Sequence, residues 1–497
     1  MSVFVMVAQL ITGLALLVFV HEAGHFLAAR MFKVRVPKFY LFFNPTFSLV
    51  KCKKINGKWQ FKFFSKNLPD MEKQTDENGK PVLDEKGKAK QKMIDISVLS
   101  DGDWRKHPEN TEYGIGWLPL GGYCQISGMI DETQSVENMS SEPQPWEYRA
   151  VPAWQRLIIT LGGVIVNLVV GVLLFALVIG KYEKQYLPNA AVTDGIYAYE
   201  EARNMGFQTG DKLISVNGEK DVRFKDASSI KMLFGGIVTV ERAGKKVDIV
   251  IDESAYSLIK DKKYFYFIDA LNCNTVIDSV VKDSPADKAG IRKGDVFLCV
   301  NDTLNTATLG TYIENYLEKD PLLPKQEITA SFLRGTDTLC YNITLDTAGK
   351  MGISIDLNLP YQRKDYTIGE CFTYGWKDAM TNLTLNVKGL GKIVSGKENA
   401  RESLTGPIGI AQIYGGVWDW KKFWSITALL SVILAFMNIL PIPGLDGGHA
   451  IFTTVELITG KRVSDKVLQH AQTVGMFILI LLMVFIFGND IFKLFKL

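Results

Sequence analysis

Cysteine pairs, excess charge and histidine are all scarce in this sequence, and the first two scarcities argue against particular classes of protein. The 497 residues include six cysteines, none spaced as C-x-x-C, so zinc-finger and thioredoxin-type motifs are excluded. Basic residues outnumber acidic residues by only three (56 against 53), and nothing therefore indicates a nucleic-acid partner. Only five histidines occur, so any pattern that uses two of them carries weight.

A long apolar run near the amino terminus gives the first functional signal. Residues 3–20 are almost wholly apolar, which is enough for a helix to cross the hydrocarbon core of a bilayer. No lysine or arginine precedes this run, so the basic region of a cleavable signal peptide is missing. We therefore expect a retained transmembrane helix over residues 1–30.

This apolar run continues directly into the motif H-E-A-G-H. On a helix, His21 and His25 share one face and can bind one zinc ion, while Glu22 lies beside them as a proton acceptor. An ionisable side chain inside a spanning helix costs about 2.5–3.5 kcal/mol, so it is retained there for function by default. The motif therefore predicts a catalytic zinc site; a chance match and a structural, non-catalytic metal are the alternatives.

Hydropathy predicts four membrane spans, at about 3–29, 157–179, 423–440 and 471–488. Four basic residues and no acidic ones follow the first span, so the positive-inside rule places the HExxH end towards the cytoplasm. With four spans, residues 180–422 then lie outside, whereas residues 30–156 and the short connection 441–470 are cytoplasmic. Residues 449–497 comprise an interfacial segment and the fourth span.

Residues 31–150 are predicted to be rich in β-structure and to lie at the membrane. A hairpin over 45–65 turns at Asn56-Gly57, whose residue types favour a type I′ turn. The polar stretch 67–112 is expected to be an exposed insertion. The apolar, glycine-rich stretch 113–129 predicts a hairpin at membrane depth, with an ordinary cytoplasmic sheet as the alternative.

Three residues of the second span, in the segment 151–182, share one helix face. Gly163, Asn167 and Gly171 are spaced four residues apart, so the glycines allow close helix packing and Asn167 can form a hydrogen bond across the interface. Packing alone explains all three residues, and a polar contact of Asn167 near the metal site is the alternative.

One pattern occurs twice in the region expected to lie outside. The stretch 205–218 recurs as 289–302, with G-x-x-x-G-D followed by an apolar strand and a second turn. This pattern resembles PDZ domains, which accept peptides by strand addition, and we expect such domains at 190–265 and 266–360. A steric gate that binds no peptide is the alternative.

The segment 361–421 is predicted to contain an amphipathic helix, because six of its apolar residues recur at near-helical spacing: Trp376, Met380, Leu383, Val387, Leu390 and Val394. Such a helix is expected either at the outer membrane boundary or against a PDZ domain.

The third span, in the segment 422–448, ends in a broken stretch with a carboxylate. Pro441 and Pro443 end the helix, and Asp446 follows within three residues. Unwound backbone at membrane depth must line a cavity. Two neutral histidines and one carboxylate hold zinc while leaving one position open for catalysis.

HExxH in the first span, N-x-x-P-x-P-x-L-D-G after the third and the PDZ-like pair between them resemble the site-2 protease family of intramembrane zinc proteases. The resemblance implies a polytopic α-helical membrane protein with four transmembrane helices, two tandem PDZ domains and a membrane-associated β-hairpin. It also implies residence in the bacterial inner membrane, with the PDZ domains outside and the active site near the cytoplasmic side. The implied substrates are single-span membrane proteins, such as anti-sigma factors and remnant signal peptides, that have already lost an outer part.

The same resemblance implies roles for individual residues of this sequence. His21, His25 and Asp446 are the implied zinc ligands, and Glu22 is the implied catalytic base. The residues implied to bind substrate or to lie beside it are Gly121, Gly122, Asn167, Asn438, Pro441 and Pro443. Two departures from the family pattern are present: Val164 replaces a proline, and Leu41–Asn44 replace a glycine-containing segment. His449 is expected either to orient Asp446 or to lie on the surface.

Overall fold

The computed structural model describes most of the chain in two compact units, residues 1–182 with 366–497 and residues 183–365. The described residues are 3–67, 71–73, 91–94, 99–100, 102–130, 142–220, 223–224, 235–252, 267–271, 275–300, 303–304, 327–346, 350–356, 359, 361–397 and 399–495. Much of the stretch 67–112, which we predict to be an exposed insertion, lies outside these residues.

The described helices are α1 (Val3–Met31), α2 (Ala153–Tyr182), α3 (Glu200–Asn204), α4 (Pro285–Ala289), α5 (Ile368–Val394), α6 (Ala400–Ser403), α7 (Pro407–Tyr414), α8 (Trp420–Ile439), α9 (Asp446–Thr459) and α10 (Asp465–Phe495). The described strands of the first unit are β1 (Lys38–Ile55), β2 (Lys58–Lys66), β3 (Met71–Lys73), β4 (Gln91–Met93) and β5 (Glu112–Gln125). Those of the second unit are β6 (Gln185–Tyr186), β7 (Ile196–Ala198), β8 (Lys212–Val216), β9 (Gly236–Arg242), β10 (Lys245–Ile251), β11 (Ile268–Ala270), β12 (Val276–Val280), β13 (Val296–Val300), β14 (Thr303–Leu304), β15 (Glu327–Arg334), β16 (Asp337–Thr344), β17 (Ile353–Asp356) and β18 (Gln362–Arg363).

Four of the described helices, α1, α2, α8 and α10, are long and apolar enough to cross a bilayer. They correspond to the four segments predicted from hydropathy. The chain is therefore a membrane protein with four candidate transmembrane helices.

Helix α2 packs against α1 on one side and α8 on another, and small residues permit both contacts. Gly24 of α1 lies directly against the backbone of Gly162 in α2. Further along α2, a Cβ atom at Gly171 would lie 2.7 Å from Cγ2 of Val432 in α8. The helix face predicted from the spacing of Gly163, Asn167 and Gly171 is therefore buried between neighbouring helices.

Helix α5 lies within the segment 361–421, where an amphipathic helix is predicted, and it packs against α2. Its first turn is closed by a capping box between Thr367 and Glu370. Gly375 lies against α2, where a Cβ atom would come 2.8 Å from the Val172 carbonyl oxygen. Trp376 of the predicted apolar stripe is instead more than half exposed, at 54%. The sequence predicts this helix but not its packing partner.

The sheet of the first unit contains the predicted hairpin at Asn56-Gly57. Strands β1 and β2 pair antiparallel across this turn, and both turn residues have positive φ, 48° for Asn56 and 80° for Gly57. Positive φ at both central residues matches the predicted type I′ turn.

The prediction of a self-paired hairpin over 113–129 is wrong. This stretch forms the single strand β5, and the start of β1 lies between its two ends. Tyr40 pairs with both Gly114 and Tyr123, and Leu41 pairs with both Ile115 and Gly122. Because Leu118–Gln125 has partners only in β1 among the described strands, its other side is an edge of the sheet.

The second unit contains two lobes, each with its own buried core. The first contains the sheet β10-β9-β8 and the pair β11-β7, and the second contains the sheet β16-β15-β13-β12-β17, with β14 paired to β13. The repeated pattern forms the same structure in both lobes. Asp211 accepts two hydrogen bonds from the Arg242 guanidinium, and Asp295 accepts two from that of Arg334. That these lobes are PDZ domains stays a prediction.

Candidate active site

The two histidines of the HExxH motif lie on α1 where this helix crosses α2. Gly163 of α2 faces both rings, and a Cβ atom there would lie 2.5 Å from Nε2 of His25 and 2.5 Å from Cε1 of His21. Only glycine leaves room for both imidazoles at this crossing. The glycine predicted to permit helix packing therefore also makes space for the motif.

Three donor atoms from distant parts of the sequence converge beside this crossing. Nε2 of His21 and Nε2 of His25 each lie 3.3 Å from Oδ2 of Asp446. The two imidazole nitrogens are also 3.3 Å apart. Among the described residues, no other group of three or more histidine, cysteine, aspartate or glutamate side chains is arranged so that it could hold a metal ion.

The spacing of these atoms fits a tetrahedral zinc ion. Zinc binds nitrogen and oxygen ligands at about 2.0–2.1 Å, and two ligands of a tetrahedron are then about 3.3 Å apart. Oδ2 of Asp446 is also buried and forms no hydrogen bond with the described residues, although both imidazole nitrogens are close. Buried charges in proteins are paired or coordinate a metal, and a zinc ion among the three donor atoms would neutralise this carboxylate.

Asp446 reaches the histidines because the chain turns sharply after α8. Helix α8 ends at Ile439, and α9 begins at Asp446. Between them, Gly444 has a φ of 100°, which an L-residue rarely adopts. Gly448 packs against this turn, where a Cβ atom would lie 2.7 Å from the carbonyl oxygen of Ile442. The two glycines therefore allow the turn that brings the carboxylate to α1.

Polar groups of neighbouring helices surround both imidazoles. Nδ1 of His25 lies 2.9 Å from the backbone carbonyl oxygen of Ile159 in α2. Nδ1 of His21 lies 3.2 Å from Nδ2 of Asn167, also in α2. Nδ2 of Asn438, at the end of α8, lies 3.4 Å from Nε2 of His21. Each ring therefore contacts α2 through its Nδ1 atom, whereas Asn438 contacts the Nε2 atom of His21 that faces Asp446.

A cavity of about 270 Å³ opens beside the three donor atoms. Glu22 lines this cavity together with residues from α2, β5, α8 and α9: Gly121, Gly122, Asn167, Asn438 and His449. A second cavity of about 700 Å³ adjoins it between the sheet and α10. Phe43, Tyr123, Gly444 and Gln472 line both cavities, so the two are direct neighbours.

The structure does not bring every predicted site residue into this space. Pro441 is exposed, and neither Pro441 nor Pro443 lines the cavity. Pro443 instead packs against Gly475 of α10. His449 lies in the cavity wall rather than on the outer surface, and its Nε2 atom is buried.

Sequence reasoning missed several groups of the site. Gln472 and Tyr123 line the cavity, and the Tyr123 hydroxyl donates a hydrogen bond of 3.0 Å to Oδ1 of Asn44. The Ile159 carbonyl could not be predicted, because every residue has a backbone carbonyl and the residue type does not show which one faces the site. Phe42 has a φ of 68°, and it lies in the segment where the family pattern has glycine. That departure was visible in the sequence and marks a strained backbone beside the cavity.

Comparison with known proteins identifies the family. The sequence profile described as Peptidase family M50 matches residues 9–96 and 89–482. The chain belongs to peptidase family M50, the site-2 protease family. This family uses zinc, and the chain is a zinc metalloprotease.

Individual relatives of this M50 peptidase extend over most of its length. A Neisseria meningitidis protein named "Putative zinc metalloprotease" is 28% identical over 417 residues, covering 78% of this chain and 88% of the relative. A Treponema pallidum protein of the same name is 26% identical and covers 79% of this chain and 90% of the relative. The "Regulator of sigma E protease" of Haemophilus influenzae is 24% identical and covers 99% and 100%, respectively.

Proposed function

We propose that this zinc metalloprotease cleaves peptide bonds within the transmembrane segments of single-span membrane proteins after a first cut has removed their outer part. The observation that carries the proposal is the triangle of His21, His25 and Asp446, whose donor atoms are 3.3 Å apart. Two of these residues belong to a helix long and apolar enough to cross a bilayer. A hydrolytic site on this helix would act on the parts of substrate proteins that lie in the membrane.

His21, His25 and Asp446 would hold the zinc ion, and Glu22 would act as the general base. The ion supplies Lewis acidity that polarises the scissile carbonyl and activates water. The Glu22 carboxylate lines the same cavity, so it can accept a proton from water and later donate it to the nitrogen of the leaving amine.

The edge of β5 would hold the substrate in an extended form. A transmembrane helix hides its amides in internal hydrogen bonds, so cleavage requires local unwinding. Residues 118–125 pair only with β1 among the described strands, and Gly121 and Gly122 line the cavity, so strand addition could take place there. The Asn438 amide, which also lines the cavity, would hold the opposite side of the substrate.

The two lobes of the second unit would be PDZ domains that control access. Their repeated aspartate–arginine pairs support descent from one structural module. We place the lobes outside the bacterial inner membrane. The basic residues that follow the first span put its carboxyl end in the cytoplasm, and residues 180–422, which include the lobes, are then on the outer side. The name of the Haemophilus influenzae relative supports substrates of the anti-sigma-factor type, and remnant signal peptides have the same single-span form.

The substitution Glu22→Gln tests this function directly. The variant should retain zinc and lose cleavage of a single-span reporter protein, because glutamine keeps the shape of the side chain but cannot accept the proton. Glu109→Gln, at a side chain that is 49% exposed, is the matched control and should cleave normally. Full cleavage by Glu22→Gln would contradict the assigned base. If Glu22→Gln is inactive as expected, proteomics of the membrane fragments that accumulate in cells with this variant would identify the natural substrates.

A further inference from the structure

We infer that Asn167 is a positioning residue that holds His21 in the tautomer required for zinc binding, rather than a residue that binds substrate. This inference rests on the proposed ligand role of His21. It concerns a contact between α2 and α1 that sequence reasoning left open between packing and a polar contact.

The Asn167 side chain is poorly placed to bind substrate. Its exposed fraction is 0%, although it borders the cavity. Its backbone carbonyl accepts a hydrogen bond of 2.6 Å from the Ser431 hydroxyl of α8. Asn167 is therefore enclosed between α1 and α8, and its amide faces an imidazole instead of the open space.

The position of the hydrogen on His21 decides which amide atom must face it. Nε2 of His21 belongs to the triangle of donor atoms, so this nitrogen needs a free lone pair. A neutral imidazole then carries its hydrogen on Nδ1, which becomes a donor. The group opposite Nδ1 must be an acceptor.

The amide of Asn167 meets this requirement when it is rotated by half a turn. Nδ2 faces Nδ1 of His21 at 3.2 Å, while Oδ1 is buried without a hydrogen-bond partner among the described residues. The oxygen and nitrogen of an amide have nearly the same shape, so their assignment follows from the hydrogen-bond network. When the two atoms are exchanged, Nδ1–H of His21 donates a hydrogen bond to Oδ1 of Asn167.

His25 supports the same assignment independently. Its Nδ1 atom lies 2.9 Å from the Ile159 carbonyl oxygen, which can only accept. His25 therefore carries its hydrogen on Nδ1 and presents a free lone pair at Nε2. Helix α2 thus supplies one acceptor to each histidine, a backbone carbonyl for His25 and the Asn167 side chain for His21.

The test compares zinc affinity in two variants of the full-length protein. Asn167→Leu removes the acceptor at similar volume, and Asn167→Asp retains an acceptor. The zinc dissociation constant is measured by competition with a chromophoric chelator in detergent. Loss of an outer partner of a metal-bound histidine typically costs 10–100-fold in metal affinity, so Asn167→Leu should weaken binding by about this factor. Asn167→Asp should bind zinc at least as tightly as the parent.

Two controls separate positioning from packing. Ser431→Ala removes the hydrogen bond to the Asn167 backbone and should leave zinc affinity unchanged. Thermal unfolding of the metal-free proteins measures any general loss of packing. Equal weakening of zinc binding in Asn167→Leu and Asn167→Asp, or parent affinity in Asn167→Leu, would overturn the inference.

Cleavage kinetics at saturating zinc distinguish positioning from substrate binding. Asn167→Leu should lower kcat with little change in KM, whereas a large rise in KM alone would assign the residue to substrate binding and overturn the inference. His21→Ala is the reference: if it left zinc affinity intact, the proposed metal site itself would fail, and this result is distinct from a failure at Asn167.

Discussion

Gly163 of α2 lies so close to His25 of α1 that a Cβ atom on the glycine would be 2.5 Å from the Nε2 atom that faces Asp446. The same Cβ atom would be 2.6 Å from Nδ1 of His21. Gly163 therefore affects both the packing of α1 against α2 and the positions of the two imidazoles. A change in the spacing of α1 and α2 would disturb the metal site even without a change to any ligand.

The substitution Gly163→Ala is expected to reduce zinc binding. The added methyl group must displace the imidazoles, and overpacking of this kind costs about 1–3 kcal/mol. Gly171→Ala is the matched control, because its Cβ atom would meet Val432 and no metal-site residue. Zinc content of the purified proteins distinguishes them: Gly163→Ala should be depleted and Gly171→Ala should be near the parent. Equal depletion would indicate a general packing defect.

The substitution Gly122→Ala is expected to reduce cleavage by more than about tenfold while zinc content stays unchanged. A Cβ atom there would lie 2.7 Å from the Tyr40 carbonyl oxygen, so the edge of β5 must shift beside the cavity. The assay combines cleavage of a single-span reporter with zinc analysis. Gly102→Ala, where a Cβ atom has nothing within 4 Å, is the neutral control. Unchanged cleavage in Gly122→Ala would remove the β5 edge from the substrate path.

Asp490 in the last candidate span is expected to contribute strongly to stability. Its carboxylate accepts hydrogen bonds from the backbone amides of Gly406, Ile408 and Gly409 at the start of α7. Loss of this buried acceptor in Asp490→Ala should destabilise the protein by about 1–3 kcal/mol. The midpoint of thermal unfolding in detergent measures the effect, and Gly488→Ala, in open space, serves as the control. An unchanged midpoint would refute this role.

The second lobe is expected to lose stability in acid through Asp295. The hydrogen bonds from Arg334 hold the pKa of the Asp295 carboxyl below its usual range, despite the opposing effect of burial. A lowered pKa in the folded state means that the stabilisation is present at neutral pH and is lost as the pH falls below about 4, towards the folded-state pKa. Asp295→Asn should therefore increase amide hydrogen exchange in β12 and β13 at neutral pH.

The comparison of the two proteins at two pH values provides the check. After correction for intrinsic exchange rates, the difference between parent and Asp295→Asn should shrink as the pH falls below 4. A difference that stays constant with pH would show that the charge of Asp295 is not the cause. Lys293→Gln, at a side chain that is 76% exposed, is the control for loss of a surface charge.

Local sequence patterns were sufficient to predict the parts of the fold that depend on short-range chemistry. The four spans follow from apolar length, and the β1–β2 turn follows from Asn56-Gly57. The donor set was predictable because His21 and His25 are one helical turn apart. Asp446 follows a break in a spanning helix, where a charge needs a partner.

Features that depend on long-range pairing were not predictable in the same way. The apolar, glycine-rich stretch that forms β5 predicts β-structure but does not show that the start of β1 lies between its two ends. Likewise, the spacing of Gly163 and Asn167 predicts a shared face but not the contact of each residue with an imidazole. Such contacts depend on which helices and strands lie next to each other, and the pattern of a single sequence does not show this.

X-ray absorption at the zinc K-edge of the full-length protein tests whether His21, His25 and Asp446 hold the ion. We expect one zinc ion per chain with two imidazole nitrogens and a carboxylate oxygen at about 2.0–2.1 Å. We also expect Asp446→Ala to lose the ion or the carboxylate ligand. A spectrum with sulfur ligands, or a spectrum that Asp446→Ala leaves unchanged, would contradict this ligand set.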